Sequence, residues 1–121
     1  MAAKKKILLV SATIGKNYEL AQELKKIIDN TTAVDTAVIN LESYDLPLYK
    51  SGIETENETA SELSTEFENA DGFVFCAPEY NGGVPPILSN AITWITVQTK
   101  NWRDAFNSKW ALISTHSAGS G

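Results

Sequence analysis

"GFVFCAPEYNGGVPP", residues 72–86, is the stretch that decides the fold. Its first part, residues 72–77, is a short apolar run rich in strand-forming residues, which predicts a strand buried on both faces. Two glycines and two prolines then interrupt the chain before the apolar segment "ILSNAITWITV". Proline is tolerated in the first turn of a helix, so a helix is expected to start near Pro86. A buried strand, an irregular loop and a helix form one unit of an α/β fold.

Similar strands are predicted at residues 7–10, 35–41 and 109–115. Two further segments have apolar residues three or four positions apart, the spacing of an amphipathic helix. Their apolar positions are Leu20, Leu24, Ile27 and Ile28 in the first helix and Ala60, Leu63, Phe67 and Ala70 in the second. The second helix is expected to begin near Thr55, because Thr55 and Glu58 have the spacing of a capping box. Strands that alternate with helices predict right-handed crossovers and a doubly wound parallel sheet.

Length and composition exclude several classes of protein. The 121 residues suffice for a single domain, residues 1–121. A net charge of −5 argues against nucleic-acid binding, which needs clustered lysine and arginine. No apolar run approaches the roughly 18 residues of a membrane span, and no signal peptide is recognised. The one cysteine, Cys76, fits a reducing compartment. We therefore expect a cytoplasmic protein that binds neither nucleic acid nor membrane.

The loop after the first strand has the composition of an anion site. Doubly wound sheets bind ligands at the carboxyl ends of their strands. Here "SATIGKN", residues 11–17, leads into a helix and carries two hydroxyls, a cation and an amide, from Ser11, Thr13, Lys16 and Asn17. A helix N-terminus presents free N–H groups and positive partial charge, which suit a phosphate. The alternative is an ordinary polar turn with Asn17 as the helix N-cap.

Better-known catalytic and phosphate-binding motifs are missing from the sequence. It contains neither G-x-x-x-x-G-K-[ST] nor G-x-G-x-x-G, which excludes a P-loop nucleotidase and a dinucleotide-binding Rossmann site. It also lacks a G-x-S-x-G elbow and any cluster with metal-ligand spacing. We therefore predict no metal site and no acid–base constellation among the protein's side chains.

The loop "APEYNGGVPP", residues 77–86, suits a flat heteroaromatic ligand. Gly82 and Gly83 allow a ligand to approach the main chain closely. Tyr80 offers a flat apolar face, and Asn81 offers amide donors for polar ring edges. The alternative is a tight glycine turn with a surface tyrosine.

The segment "ADGFVFCAPEYNGGVPPILSNAITW", residues 70–94, resembles the signature of the NADPH-dependent FMN reductase family. These are flavodoxin-like proteins that include quinone, azo-dye and chromate reductases. The matching positions are Pro78, Glu79, Tyr80, Asn81 and Gly82, followed by Asn90, Ala91, Ile92 and Trp94. "DLPLY", residues 45–49, and "STHSAGSG", residues 114–121, also resemble the family.

The resemblance implies a flavodoxin-like three-layer α/β/α sandwich with strand order 2-1-3-4. It implies FMN as cofactor, NADPH or NADH as electron donor, and a small-molecule acceptor such as a quinone, azo compound, free flavin or metal oxyanion. Catalytic protein residues are not expected, since the flavin carries the chemistry. The implied cofactor-binding residues are Ser11, Thr13, Lys16 and Asn17 for the phosphate, Pro78, Glu79, Tyr80, Asn81, Gly82 and Gly83 for the ring, and Ser117, Ala118 and Gly119 for its far edge.

Two features depart from the family pattern. Thr13 falls near the position where relatives carry an arginine, so Lys16 is the only cation of the first loop. The sequence also ends at Gly121, before the fifth strand of a flavodoxin-like sheet, and we expect a C-terminally truncated chain. Residues 114–121 would then be unanchored and FMN weakly held. The alternative function is a flavodoxin-like domain that does not bind flavin productively, with an interaction role or no catalytic role.

Three further expectations concern single residues and assembly. Cys76 is expected to be a buried apolar residue. His116 is either a surface residue or a proton donor.

In the helix from Pro86 to Gln98, the apolar side chains spread over an arc of roughly 220°, which is wider than the contact with one sheet face requires. We expect this excess to form a homodimer interface, the alternative being that "NWRDAF", residues 101–106, covers it.

Overall fold

A computed structural model of the chain describes residues 4–118. The elements are β1 (Lys6–Ser11), α1 (Lys16–Thr31), β2 (Asp35–Asn40), a 3₁₀ helix (Leu41–Tyr44), α2 (Glu58–Asn69), β3 (Gly72–Cys76), α3 (Pro86–Gln98) and β4 (Trp110–Ser114). All neighbouring strands are parallel, and their order across the sheet is β2-β1-β3-β4. The predicted flavodoxin-like α/β fold is therefore confirmed.

The helices cover both faces of the sheet, as the apolar strands require. Side chains alternate between the faces along a strand. Leu8 of β1 accordingly belongs to one core cluster with residues of α2 and α3, whereas Leu9 belongs to a second cluster with Ala21 of α1. Both leucines are fully buried. The layers are thus α1, the sheet, and α2 with α3.

The helix starts differ from the sequence-based expectations. α2 begins at Glu58, and the Asn57 side chain caps it by accepting a hydrogen bond from the Ala60 N–H over 2.8 Å. The predicted capping box from Thr55 is wrong, because Asn57 already satisfies the free N–H of the first turn. In α1, Ile27 is 58% exposed, so the apolar side of this helix is narrower than its spacing predicts.

Two side chains of α3, one helical turn apart, hold the loop of residues 45–49 against the helix. The Asn90 Nδ2 and the Trp94 Nε1 both donate to the Pro47 carbonyl, over 3.0 and 2.7 Å. The Asn90 Oδ1 also accepts from the Tyr49 N–H over 2.8 Å. The Tyr49 ring packs edge-on against the Trp94 ring at a centroid distance of 5.5 Å. This loop therefore shields one side of the helix from solvent.

The wide apolar arc of α3 is largely covered within the chain. Its buried apolar residues are Leu88, Ala91, Trp94 and Ile95, while Ile87, Ile92 and Val97 are half-buried. The loop of residues 45–49 provides much of this cover, and Ala105 of the alternative segment 101–106 is also buried. The larger apolar exposure lies on β4, where Trp110 is 88%, Leu112 58% and Ile113 81% exposed.

The contact between Trp94 and the loop of residues 45–49 predicts a graded loss of stability. Trp94→Phe loses the hydrogen bond to Pro47 and part of the buried ring volume, which together should lower the free energy of unfolding by at least about 1 kcal/mol. Trp94→Ala leaves a larger cavity and should cost about 3–5 kcal/mol. Urea denaturation measures both values. The exposed Trp102 is the matched control: Trp102→Phe should change stability by less than about 0.5 kcal/mol. Equal stability of Trp94→Phe and the unchanged protein would contradict the role of the indole N–H.

Candidate functional site

Three loops meet at the carboxyl edge of the sheet. The first loop (residues 11–17) follows β1, the second loop (residues 77–85) follows β3, and the third loop (residues 115–118) follows β4. β1, β3 and β4 are consecutive across the sheet, so the strand order places the three loops side by side. Ligands of doubly wound sheets bind at this edge.

A cavity of about 630 Å³ opens between the second and third loops. This volume lies within the range of roughly 300–1,000 Å³ that is typical of cofactor pockets. The cavity is lined by Pro78, Glu79, Tyr80, Thr115, His116, Ser117 and Ala118. Sequence reasoning did not single out Thr115, and the predicted Gly119 lies outside the described residues. Tyr80 is 47% exposed and lines the cavity, so a ligand can reach it.

The second loop is built around a tight turn. Tyr80 and Gly83 exchange two backbone hydrogen bonds of 3.0 and 3.1 Å across Asn81 and Gly82. The φ angles of these two central residues are 54° and 77°, and positive φ at both positions is the pattern of a type I′ turn. The Glu79 carboxylate accepts from the Gly82 N–H over 2.7 Å and stabilises the turn. The conformation of the turn therefore explains why Asn81, Gly82 and Glu79 occupy these positions, without a ligand.

The predicted ring-binding residues are divided between two neighbouring cavities. Pro78, Glu79 and Tyr80 line the cavity described above, whereas Gly82 and Gly83 line a second, mainly apolar cavity of about 550 Å³. Pro78 and Glu79 contribute to both, so the two cavities adjoin. Asn81 lies at the exposed tip of the turn and lines neither of them.

In the first loop, three of the four predicted polar side chains are engaged within the protein, namely those of Ser11, Lys16 and Asn17. Ser11 is fully buried, and its hydroxyl donates to the Thr13 carbonyl over 2.6 Å. This hydrogen bond shapes the loop. The ammonium of Lys16 is exposed and forms an ion pair of 3.1 Å with Glu19, one turn along α1. Thr13 itself is half-buried.

The first loop also presents backbone donors. α1 begins at Lys16 with Gly15 as its N-cap, and no side chain caps it. The alternative prediction of Asn17 as the N-cap is therefore wrong. The first N–H groups of a helix have no partner within the helix, and the helix dipole favours an anion there. One neighbouring donor is occupied: the Ile14 N–H donates to the Glu42 carboxylate over 2.8 Å. Glu42 gave no sequence signal, since its partner lies 28 residues away.

Asn17 joins the first loop to the third. Its Nδ2 donates to the His116 carbonyl over 3.1 Å, and its Oδ1 accepts from the His116 N–H over 2.9 Å. Asn17 is only 4% exposed. The expectation that the third loop is unanchored is therefore wrong for His116. The amide of Asn17 makes hydrogen bonds with both the N–H and the carbonyl of His116, the two groups that an adjacent β-strand would bind. The amide of Asn17 thus has a positioning role between the loops.

Cys76 has the environment of a structural residue, as predicted. It is fully buried in a cluster with Leu9, Ala21 and Val74. Burial raises the pKa of its thiol. A protonated, inaccessible thiol is a poor nucleophile. Within residues 4–118, no group of three or more His, Cys, Asp or Glu side chains is placed to hold a metal ion.

Comparison with known proteins finds similarity along nearly the whole chain. Residues 5–121 match the family described as NADPH-dependent FMN reductase. The "NADH-dependent flavin reductase subunit 2" of Lactobacillus johnsonii is 30% identical over 106 residues, which cover 84% of this chain and 56% of that protein. A "Quinone reductase" of Pseudomonas putida is 36% identical over 78 residues, which cover 63% of this chain and 40% of that protein.

A solved structure shows the same fold. The flavoenzyme NAD(P)H:(acceptor) oxidoreductase (FerB) from Paracoccus denitrificans superposes with a TM-score of 0.77 at 23% identity, over 96% of this chain and 63% of that one. At this level of identity the similarity concerns the fold alone. The chain spans 40% and 56% of the two sequence relatives and 63% of this structural neighbour.

The pairing of Asn17 with His116 predicts a local change on substitution. Asn17→Ala removes both hydrogen bonds, so amide hydrogen exchange of residues 115–118 should accelerate while exchange in β1 and β3 stays slow. Hydrogen exchange followed by mass spectrometry measures this. Asn30→Ala, an exposed asparagine on the same helix, is the control and should leave the third loop unchanged. Unaltered exchange in Asn17→Ala would show that other contacts hold the loop.

The buried thiol predicts slow reaction with disulfide reagents. Because the pKa of Cys76 is raised in the folded protein, less thiolate is present at a given pH than in the unfolded chain. At pH 8, a colorimetric thiol reagent should therefore react much more slowly with the native protein than with protein in urea. Rapid reaction of the native protein would contradict the assignment of Cys76 to the core.

Proposed function

The chain belongs to the NADPH-dependent FMN reductase family, and from this we propose that it binds FMN and transfers electrons from NADPH or NADH to a small-molecule acceptor. Acceptors of the proposed kind are quinones, azo compounds, free flavin or metal oxyanions. The single observation that carries the proposal is the cavity of about 630 Å³ between the second and third loops, beside the first loop and the N-terminus of α1.

The shape and chemistry of the cavity suit a flavin ring. Pro78 and the half-exposed Tyr80 offer apolar surface for stacking, and Ser117 of the third loop also lines the cavity. Backbone carbonyl and N–H groups of loops can contact the polar edge of such a ring. When bound, FMN supplies hydride and electron transfer, so the protein needs no acid or base of its own.

The phosphate of FMN is proposed to lie at the first loop. The N-terminus of α1 is not capped by a side chain, and its dipole favours a negative group. Ser11 maintains the loop through its bond to Thr13. Thr13, Lys16 and the backbone N–H groups are the proposed donors, and Lys16 must leave Glu19 to act as a cation. Asn17 aligns this loop with the cavity through His116.

A second candidate function is a flavodoxin-like domain that does not bind flavin productively. Two observations favour it. The N–H of Ile14 already donates a hydrogen bond to the Glu42 carboxylate, and the ammonium of Lys16 forms an ion pair with Glu19. Both contacts oppose binding of a further anion. Flavin titration separates the two candidates.

We also propose a cytoplasmic homodimer. Dimerisation is supported by Ile87, Ile92 and Val97, which leave part of α3 accessible, and by the exposed apolar residues of β4. The cytoplasmic location is supported by the single free thiol of Cys76. In the part of the chain that the structure describes, no helix has the length and apolar composition to cross a membrane.

Titration of FMN with the protein tests the proposed function. Flavin fluorescence should be quenched as the ring stacks in the cavity. Tyr80→Ala removes the stacking surface and should weaken binding roughly 5- to 150-fold, the equivalent of about 1–3 kcal/mol. Gly82→Val should also weaken it, because a β-branched residue is strained at a φ of 77°. Lys50→Ala, at an exposed position outside the three loops, should bind as the unchanged protein does.

Asn81 provides a matched pair for the same titration. Asn81→Gly preserves the positive φ of the turn, whereas Asn81→Val does not. If FMN binding depends on the conformation of the turn and not on the Asn81 side chain, only Asn81→Val should weaken binding. Full FMN fluorescence at high micromolar concentrations of unchanged protein would refute the proposed function in favour of the second candidate.

A further inference from the structure

Glu42 is held in a defined position beside the first loop. It lies on the 3₁₀ helix Leu41–Tyr44, which directly follows β2. The Asn40 side chain accepts a hydrogen bond from the Glu42 N–H over 2.9 Å and fixes the start of that helix. Because Asn40 lies opposite Ser11 in the parallel register, the Glu42 carboxylate reaches across and accepts from the Ile14 N–H over 2.8 Å.

This contact places a carboxylate where a phosphate oxygen would accept a hydrogen bond. Ile14 immediately precedes Gly15, the N-cap of α1, so its N–H is a loop donor next to the free N–H groups of the helix N-terminus. A carboxylate oxygen and a phosphate oxygen carry the same sign of charge and make the same kind of hydrogen bond. The nearest loop cation, Lys16, forms its ion pair with Glu19 and not with Glu42.

We propose that Glu42 is a specificity-determining residue that reduces the preference of the site for FMN over riboflavin, the same ring system without a phosphate. The carboxylate occupies one loop donor and repels the phosphate, whereas it leaves the ring cavity between the second and third loops untouched. The proposal rests on the proposed function, because it concerns the same flavin site.

The test compares the affinities of FMN and riboflavin for single-residue variants of this chain. Glu42→Gln removes the charge but keeps an oxygen that can accept from the Ile14 N–H, so the loop retains its shape. The affinity for FMN should rise about fivefold, the effect of unit charges about 4 Å apart in a water-like dielectric. The affinity for riboflavin should stay constant. Added salt should diminish the gain, because it screens exposed charges.

Glu54→Gln is the matched control. The Glu54 carboxylate also accepts a backbone hydrogen bond, from the Glu56 N–H over 3.0 Å, and is likewise exposed. It lies near Thr55, whose carbonyl contacts Gln98 at the far end of α3 from the three loops. This substitution should leave the ratio of FMN to riboflavin affinity unchanged. Glu42→Ala, which removes both charge and acceptor, should raise the ratio even if disturbance of the loop weakens both flavins.

The outcomes separate this inference from the proposed function. If both flavins bind and the affinity ratio is the same in Glu42→Gln as in the unchanged protein, the inference is wrong and the proposed function stands. If Glu42→Gln weakens both flavins equally, Glu42 serves only the shape of the loop, and the inference is again wrong. If neither flavin binds to any variant, the proposed function fails and the inference fails with it.

Discussion

The parallel pairing of β1 with β3 is the constraint on which the rest of the structure depends. These two strands are the centre of the sheet, and their side chains are packed by helices from both faces. The pairing continues past the strand ends, where the Ala12 N–H donates to the Cys76 carbonyl over 2.9 Å. Since the two strands are parallel, this hydrogen bond places the first and second loops next to each other at the carboxyl edge of the sheet.

The residues that mark the family in the sequence have roles in the architecture of the fold. Asn90 and Trp94 bind the carbonyl of Pro47 and do not line the cavity between the second and third loops. Asn81 and Gly82 satisfy the positive φ angles of a turn. The motif is recognisable because these backbone requirements allow few residue types, and the ligand cavity is a consequence of the shape that they impose.

The candidate site depends chiefly on hydrogen bonds between loops. Asn17 ties the first loop to the third, and Glu42 ties the segment after β2 to the first. Each contact engages a polar group at this edge of the sheet: the Asn17 amide in one case and the Ile14 N–H in the other. The anion affinity that we propose for the first loop is therefore a balance between the donors at the start of α1 and the acids that the fold brings near.

The sequence by itself determined the alternation of strands and helices, and its family resemblance supplied the strand order. Apolar runs and helical spacing predicted β1 to β4 and the buried side of α2, because burial on one or both faces imposes a local period. It also identified the second loop, whose residues are adjacent in the chain. Only the tertiary structure decided the pairing of Asn17 with His116, 99 residues apart, and of Ile14 with Glu42, 28 residues apart. Such contacts leave no period or spacing in the sequence, since they arise when parallel strands bring distant loops to one edge.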